Sequence, residues 1–340
     1  MSRGPAIGVV GASGAVGRTM LQVLEEGRYL QVGSLRLFGS ERSAGTTLPF
    51  RGEPLRIERA DDPGAFQGLD VVLMSAGSGP SRDLAPRAAA SGALVVDNSS
   101  AWRAHPQVPL VVPEVNADAL ADVPLGIVAN PNCSTIQLVV ALAPLLELGS
   151  IRTVTVATYQ AVSGAGARAL AAFEAQRRAV ALGEAPEPGD LGAVLVDDVL
   201  QHWRYEGPHQ EEERKILRES RRILRREALR MLVTTARVPV GRVHSEAVSV
   251  HFDGPVDLEA ARQALRDAPG LVLHEAVPPA LTPRQVAGRD EVFVTRLRHG
   301  TDEQPDTLSL WVMADNLRKG AATNAVQIAG KLLGPSPKRS

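Results

Sequence analysis

One cysteine, Cys133, occurs in 340 residues. An internal disulfide is thereby excluded, as is any metal site built from several cysteines. Charge of either sign is not in excess. The 37 Lys+Arg and 38 Asp+Glu residues leave a formal net charge of −1, so no global field draws the chain to nucleic acid or membrane. No apolar run reaches the roughly 18 residues of a membrane-spanning helix. The nearest, residues 138–148, is interrupted by Pro144 and Glu147. No signal-peptide pattern precedes the first strand-like segment, and no internal repeat is visible. The expectation is a cytoplasmic protein with no metal, no nucleic acid and no membrane among its partners.

What is present is ample apolar material, 44% of the residues, in a chain long enough for about two domains. In the first half, apolar runs at 6–10, 35–38, 70–74, 94–96 and 126–129 alternate with helical patterns at 16–24 and 82–90. Continuous apolar strands separated by helices imply a parallel sheet covered on both faces. The second half has longer strand patterns at 151–159, 231–235, 247–252, 292–297 and 308–313. Helical patterns there fall at 167–179, 211–228, 258–268 and 320–333. The fold class expected is therefore α/β: an N-terminal Rossmann-like nucleotide-binding domain and a second α+β domain with a mixed sheet. The domains are expected at 1–131, joined by a C-terminal helix at 320–340, and at 132–319. Residues 184–192 read as a surface loop or mobile insert, and 334–340 as a frayed tail.

Gly11-Ala12-Ser13-Gly14-Ala15-Val16-Gly17 follows the first strand and opens the first helix. A glycine-rich turn there lets backbone N–H groups approach a pyrophosphate at a helix N-terminus. The second strand ends in Gly39-Ser40-Glu41-Arg42-Ser43-Ala44-Gly45. Arg42 among hydroxyls suits the 2′-phosphate of NADP, whereas Glu41 would suit the ribose hydroxyls of NAD. NADP is favoured.

Cys133 lies in Asn130-Pro131-Asn132-Cys133-Ser134-Thr135, between an apolar strand pattern and an apolar helical pattern at 135–148. A thiol at a helix start meets partial positive charge and free N–H groups, which favour the nucleophilic thiolate. The alternative is a small buried hydrophobe. A nucleophilic thiolate needs a proton carrier, and histidine suits that task near neutral pH. His244, in Val243-His244-Ser245-Glu246, is one of seven, and spacing does not choose among them. Six arginines at 218–230 are interleaved with glutamates and an apolar stripe of Ile216, Leu217, Ile223 and Leu224, which reads as a solvated amphipathic helix.

Eight ordered motifs resemble the aspartate-semialdehyde dehydrogenase family over nearly the whole chain. They are the glycine turn, Ser40 through Gly45, and Asp97-Asn98-Ser99-Ser100-Ala101-Trp102-Arg103. Val112-Pro113-Glu114-Val115-Asn116, the Cys133 segment and Tyr159-Gln160-Ala161-Val162-Ser163-Gly164-Ala165-Gly166 follow. The last two span 237–246 and 315–320. The related N-acetylglutamyl-phosphate reductases usually carry Pro-Gly-Cys-Tyr, unlike Pro131-Asn132-Cys133-Ser134 here.

The resemblance implies an NADP-dependent, phosphorylating oxidoreductase of amino-acid biosynthesis, on the route to lysine (through diaminopimelate), threonine, methionine and isoleucine. Its reaction would join L-aspartyl 4-phosphate and L-aspartate 4-semialdehyde through a Cys133 thioester, with phosphate as co-substrate. Cys133 matches the nucleophile, His244 the acid/base and Gln160 the substrate-positioning glutamine. Arg237 matches the arginine that grips the substrate carboxylate; Glu212 and Lys215 match the residues for its amine and phosphate. Arg103 and Asn132 match further phosphate and substrate contacts. Gly11, Ser13, Gly14, Ala15, Val16, Ser40, Arg42, Ser43, Ser75, Gly77, Ser163, Gly164 and Asn316 match cofactor contacts. A homodimer, or a tetramer of paired dimers, is implied. Two departures stand out. Val243 replaces a glycine common before the histidine, and residues 195–208 lack the family's Asn-x-x-Pro segment. The alternatives are a non-catalytic NADP-binding paralogue with a regulatory role, or an enzyme acting on another acyl phosphate.

Overall fold

The computed structural model describes residues 4–201, 205–276 and 281–334. The chain divides into two units, Met1–Asn132 with Ala321–Ser340, and Cys133–Gly320.

The first unit opens with β1 (Ala6–Val10), α1 (Ala15–Glu26), β2 (Ser34–Gly39), β3 (Thr47–Phe50) and β4 (Glu53–Arg59). It continues with β5 (Val71–Met74), α2 (Ser78–Ala90), β6 (Leu94–Asp97), α3 (Pro113–Asn116) and β7 (Ile127–Ala129). Its seven strands lie in the order β3-β4-β2-β1-β5-β6-β7. All neighbours are parallel except the β3–β4 hairpin. The order reverses between β2 and β5 about β1, the switch point where a doubly wound sheet opens a ligand crevice.

The second unit contains α4 (Cys133–Leu142), β8 (Ile151–Gln160), α5 (Ala167–Ala181), the short β9 (Tyr205–Glu206) and β10 (His209–Gln210), and α6 (Glu211–Leu224). Next come β11 (Met231–Arg237), β12 (His244–Phe252), α7 (Leu258–Asp267), β13 (Leu271–His274), α8 (Pro283–Val286), β14 (Val292–His299) and β15 (Thr307–Ala314). Its main sheet has the order β11-β8-β12-β15-β14-β13. The outer pairs are parallel and the inner three antiparallel, so the sheet is mixed.

The chain then returns to the first unit as α9 (Thr323–Leu333). Ala322, Ala325, Val326, Ile328 and Ala329 pack into the core formed by Ile7, Val9, Leu37, Val71, Leu73 and Val128. Each fully buried valine, leucine or isoleucine among them contributes about 1.5–3 kcal/mol.

Several element boundaries differ from the periodicity. α4 starts at Cys133 and ends at Leu142; Pro144 lacks the N–H an α-helix needs, and Ala143–Glu147 tightens into a 3₁₀ turn. α6 ends four residues early because Arg225 takes a left-handed conformation, φ 54°. The helix expected from residue 320 begins instead as a π turn, Arg318–Ala322, and α9 starts at Thr323. The β3–β4 hairpin, β13, α3 and α8 carry too few residues for a periodic signal. Residues 335–340 of the expected tail, and 202–204 of the divergent stretch, lie outside the described residues.

Residues 184–192 are exposed, but their far end is tied down. The buried Gln176 side chain donates to the carbonyls of Glu187, Pro188 and Ala193, and accepts from the Leu195 N–H at 2.9 Å.

Candidate active site

In the first unit, β1 runs into α1 through the glycine turn. Gly11 has φ 77°, and a Cβ there would lie 2.3 Å from the Ser75 carbonyl oxygen. A Cβ on Gly17 would lie 2.3 Å from the Gly11 carbonyl oxygen. Only glycine permits the tight turn at one position and the close helix packing at the other. Above the turn opens a cleft of about 620 Å³ lined by Gly11, Ser13, Gly14, Ser40, Glu41, Arg42, Ser43 and Ser75. Asp83 and Arg87 of α2 also line it; the sequence reading did not include them. Ala15 and Val16 form the first turn of α1, and Gly77 precedes α2. These three do not line the cleft.

The cleft has the size and donor set of a dinucleotide site. Arg42 is exposed and makes no hydrogen bond or ion pair among the described residues, so its guanidinium is free to meet a phosphate. Glu41, the competing acid, points to solvent with Arg59 3.5 Å away. In the loop that follows β6, Arg103 donates to the carbonyls of Asn130 (2.9 Å) and Asn98 (2.7 Å). Among the described residues the buried side-chain atoms of Asn98 have no partner, an unmet polar demand at the carboxyl edge of a parallel sheet. Asn132 is buried at the end of this unit.

In the second unit, Cys133 is the first residue of α4 and is half-buried. Its Sγ lies 3.2 Å from His244 Nε2, at the start of β12. The His244 ring is fully buried, and its Nδ1 accepts from the Ala161 N–H at 2.9 Å. Burial first, and the Arg237 charge second, hold the imidazolium form well below the ordinary histidine range. Arg237, at the end of β11, donates to the Ala161 carbonyl. Its own pKa is lowered by burial, an effect opposed by Cys133 and Glu212. The amide nitrogen of Gln160 donates to Ser134 Oγ at 2.7 Å and to Glu212 Oε1 at 3.2 Å. The Glu213 carboxylate accepts from the Gln210 N–H at 3.0 Å, fixing where α6 begins. Glu212 and Lys215 then share one face of α6, with Lys215 Nζ 3.7 Å from Glu212 and 2.8 Å from Glu211.

Cys133, His244, Gln160, Arg237, Glu212 and Lys215 thus belong to one connected cluster. Ser163, Gly164 and Asn316 join it. A Cβ on Gly164 would lie 3.1 Å from His244 Nε2, so that residue leaves the imidazole its space. Asn316 Oδ1 accepts from the Val243 N–H at 3.0 Å, and its Nδ2 donates to Ser163 Oγ at 2.9 Å. Ser134 and the Ala161 peptide were not singled out by sequence. Ser134 neighbours the cysteine, but a backbone contact such as that of Ala161 leaves no mark in residue identity.

Val243, in place of the usual glycine, keeps the glycine conformation. Its φ is 79°, and its side chain is buried with Val286, Phe293 and Met313. For a β-branched residue such a φ is an outlier that costs about 1–3 kcal/mol. Two residues on, Glu246 is fully buried, and among the described residues neither carboxyl oxygen has a hydrogen-bond partner of good geometry. Burial raises its pKa well above the ordinary range, partly offset by Gln137, one turn beyond Cys133 on α4.

A doubly wound nucleotide-binding unit and a second unit pairing a half-buried thiol with a buried imidazole define a class, the cysteine-dependent nicotinamide dehydrogenases. Residues 6–123 match the family described as semialdehyde dehydrogenase, NAD binding domain, and residues 142–319 match semialdehyde dehydrogenase, dimerisation domain. The aspartate-semialdehyde dehydrogenase of Aquifex aeolicus (strain VF5) is 44% identical over 97% of this chain and 98% of its own. That of Bacillus subtilis (strain 168) is 40% identical over 98% of each. The crystal structure of aspartate semialdehyde dehydrogenase II complexed with ASA from Vibrio cholerae superposes with a TM-score of 0.93 at 37% identity, covering 98% of this chain and 99% of that one. The chain belongs to the aspartate-semialdehyde dehydrogenase family.

Two stability predictions follow from the strained and buried groups. Val243→Gly loses side-chain burial of about 1.5–3 kcal/mol but relieves strain of similar size. Val243→Ala loses much of the burial and keeps most of the strain. Thermal denaturation is expected to rank the glycine variant at or above the alanine variant, the reverse of the usual order. Glu246 binds a proton in the folded state that the unfolded chain releases above the ordinary glutamate pKa. Stability therefore falls as pH rises from there towards the raised folded value, by up to about 1.4 kcal/mol per pH unit. Glu246→Gln removes that loss. Urea denaturation is expected to show a stabilisation that is small at pH 4 and larger at pH 8.

Proposed function

We propose that the chain is a phosphate-dependent, NADP-linked aspartate-semialdehyde dehydrogenase, making L-aspartate 4-semialdehyde for amino-acid biosynthesis. The observation that carries this reading is the 3.2 Å contact between Cys133 Sγ and His244 Nε2, with Gln160, Arg237, Glu212 and Lys215 in the same cluster. A thiol at a helix start beside an imidazole and a guanidinium is a nucleophile in a cationic setting.

Cys133 Sγ attacks the acyl carbon of L-aspartyl 4-phosphate, phosphate departs, and the acyl group rests on sulfur as a thioester. Splitting the reaction in this way divides one difficult step into two easier ones, acyl transfer to sulfur and then reduction of the thioester. When bound, NADPH supplies the hydride that reduces the thioester. The resulting oxyanion needs a donor at the start of α4, and one such donor is typically worth about 2.7–4 kcal/mol. Arg237 holds the substrate carboxylate, Glu212 its amine and Lys215 its phosphate. Gln160, anchored between Ser134 and Glu212, positions the reacting carbonyl. Arg103 and Asn132 are assigned as further phosphate and substrate contacts. Arg42, with Ser40 and Ser43, selects NADP through its 2′-phosphate.

The protein is also read as a cytoplasmic homodimer. One face of the second unit's sheet is small-residue and half-exposed around Thr155, Ala157, Ala247 and Ser249. On the same face Tyr159 stacks on Trp311 with ring centroids 5.1 Å apart. Leu232, at 65% exposure, continues it on the edge strand. Such a face suits burial against a second copy.

Purified protein given semialdehyde, phosphate and NADP is expected to reduce the nucleotide, and to stop when phosphate is withheld. Cys133→Ala abolishes turnover. Arg42→Ala removes a charge-assisted contact of about 1.5–3 kcal/mol. It thereby raises the KM for NADP about 10- to 100-fold while leaving NAD use unchanged. Phosphate-independent reduction, or normal turnover by Cys133→Ala, would falsify the thioester route. Sedimentation equilibrium is expected to give a dimer that Ala157→Arg dissociates; a wild-type monomer would remove the dimer assignment.

A further inference from the structure

We infer that Glu246 is a positioning residue for the reaction: paired with Gln137 between β12 and α4, it fixes the distance of α4, and with it Cys133, from the sheet that carries the other site residues. The inference rests on the thioester reading above, in which Cys133 is the attacking atom.

The pairing follows from two periodicities. Gln137 stands four residues after Cys133, so both lie on one side of α4, about 6 Å apart along its axis. Glu246 stands two residues after His244, so both lie on one face of the sheet, about 6.6–6.8 Å apart along β12. The two spacings nearly match. A helix that brings Cys133 Sγ to 3.2 Å from His244 Nε2 therefore brings Gln137 to Glu246 one step behind. The Gln137 amide reaches the carboxyl and opposes part of the effect of burial on it. Both side chains are fully buried, and among the described residues neither has another hydrogen-bond partner of good geometry.

Glu246 belongs to a second row of the sheet. The row nearest the chemistry is Arg237, Gln160 and His244, on β11, β8 and β12. Behind it stand Thr235, Thr158 and Glu246 on the same strands, Thr158 lying opposite both of the others, and all three are buried. Behind these the sheet turns apolar at Val156 and Val248. A polar row inside a core is costly unless its members find partners. Thr235 shows what such a partner does. Its Oγ1 donates to Gln210 Oε1 at 2.6 Å, and Gln210 is the cap residue of α6, the helix of Glu212 and Lys215. Glu246 stands in the same relation to α4. Each helix that brings a site residue to the sheet meets one polar group of the second row.

The pair needs a proton. No residue of α4 is a lysine, arginine or histidine, and the residues opposite Glu246 on β8 and β15 are Thr158 and Val312. With no cation supplied by those elements, burial favours the protonated carboxyl. A carboxylic acid and a primary amide can exchange two hydrogen bonds, each donating to the carbonyl oxygen of the other. Such a satisfied buried pair fixes separation and tilt together. Arg237 on β11 and Glu212 and Lys215 on α6 hold the substrate, whereas α4 holds the nucleophile. Loosening α4 therefore displaces the attacking sulfur and spares those binding groups.

The test compares Glu246→Leu, Gln137→Leu, Glu246→Gln and the exchange variant Gln137→Glu/Glu246→Gln with the wild type, all as full-length protein. Iodoacetamide alkylation of Cys133, kcat, KM for semialdehyde and Tm are followed together. Each leucine variant is expected to lower kcat and the alkylation rate about 10- to 100-fold, the scale of a displacement on the order of 1 Å. KM is expected to hold, and the fall in kcat to be unrelated to any change in Tm. Glu246→Gln and the exchange variant can still form two reciprocal hydrogen bonds, and are expected to keep the wild-type kcat and alkylation rate. Leucine variants that match the wild type in both rates, or an exchange variant as slow as they are, overturn the inference. Infrared spectroscopy of the wild type decides independently of whether the leucine variants fold. The expected band is that of a protonated, hydrogen-bonded carboxyl, absent in Glu246→Gln; a carboxylate band, or that of a carboxyl free of hydrogen bonds, overturns the inference. Alkylation and infrared need no substrate, so they decide the role of Glu246 even if aspartyl phosphate proves to be the wrong acyl donor. A wild type that fails to reduce NADP with semialdehyde and phosphate counts against the thioester reading alone.

Discussion

The chemistry of the second unit hangs on the peptide of Ala161. It sits where β8 ends, and β8 lies between β11 and β12 in the sheet. Arg237 closes β11 opposite Gln160, and His244 opens β12 beside the pairing of Ser245 with Tyr159. Three strand ends thus deliver three side chains of the cluster to one place, and the backbone of a single residue ties two of them together. Backbone groups already fixed in a sheet can orient partners without the rotamer entropy a side chain would lose. The arrangement is also sensitive to register. A slip of one residue on β12 would send His244 to the opposite face of the sheet, where Tyr159 and Trp311 lie.

Holding these groups carries an energetic cost at the site. A β-branched residue at positive φ, a fully buried imidazole, a buried guanidinium and an unpartnered buried carboxyl all lie within one stretch of β11, β12 and their connection. Each is unfavourable alone. The sheets beneath supply the compensation through aliphatic burial along β8, β12 and β15, where Val154, Val156, Val248, Val250, Leu308, Leu310 and Val312 are almost wholly inaccessible. Asn316 shows how the strain is contained. Its side chain accepts from the Val243 N–H and pairs with Ser163, so the strained residue is gripped from its backbone and its apolar side chain is packed independently.

Much of this was legible in the chain itself. The glycine turn, the apolar strands and the helix beginning at the cysteine are local features, and locality is what a sequence records best. Gly11 and Gly17 announce a close approach because no other residue fits. The choice of His244 among seven histidines was not readable from spacing, because its partners Cys133 and Ala161 lie 111 and 83 residues away. The start of β12 was misplaced for a related reason. His244, Ser245 and Glu246 are polar and yet buried, so a hydrophobic pattern begins only at Ala247. The same logic hid Glu246, whose burial is a tertiary fact with no counterpart in residue type.

The stretch from Leu195 to Pro208 departs most from the family's pattern, yet it reaches the site. Leu200 and Arg237 exchange both backbone hydrogen bonds, at 2.9 and 2.8 Å. Leu195 is fully buried against Val162, Ala169 and Phe173, and its N–H is held by Gln176. What this segment gives to Arg237 is an N–H and a carbonyl, which almost any residue other than proline can provide. What it needs in return is one apolar anchor and one turn held by Gln176. A segment under those constraints can change most of its side chains while the arginine it braces stays in place. Its divergence is therefore compatible with unchanged chemistry, because the selective demand falls on the path of the backbone and not on the identity of its residues.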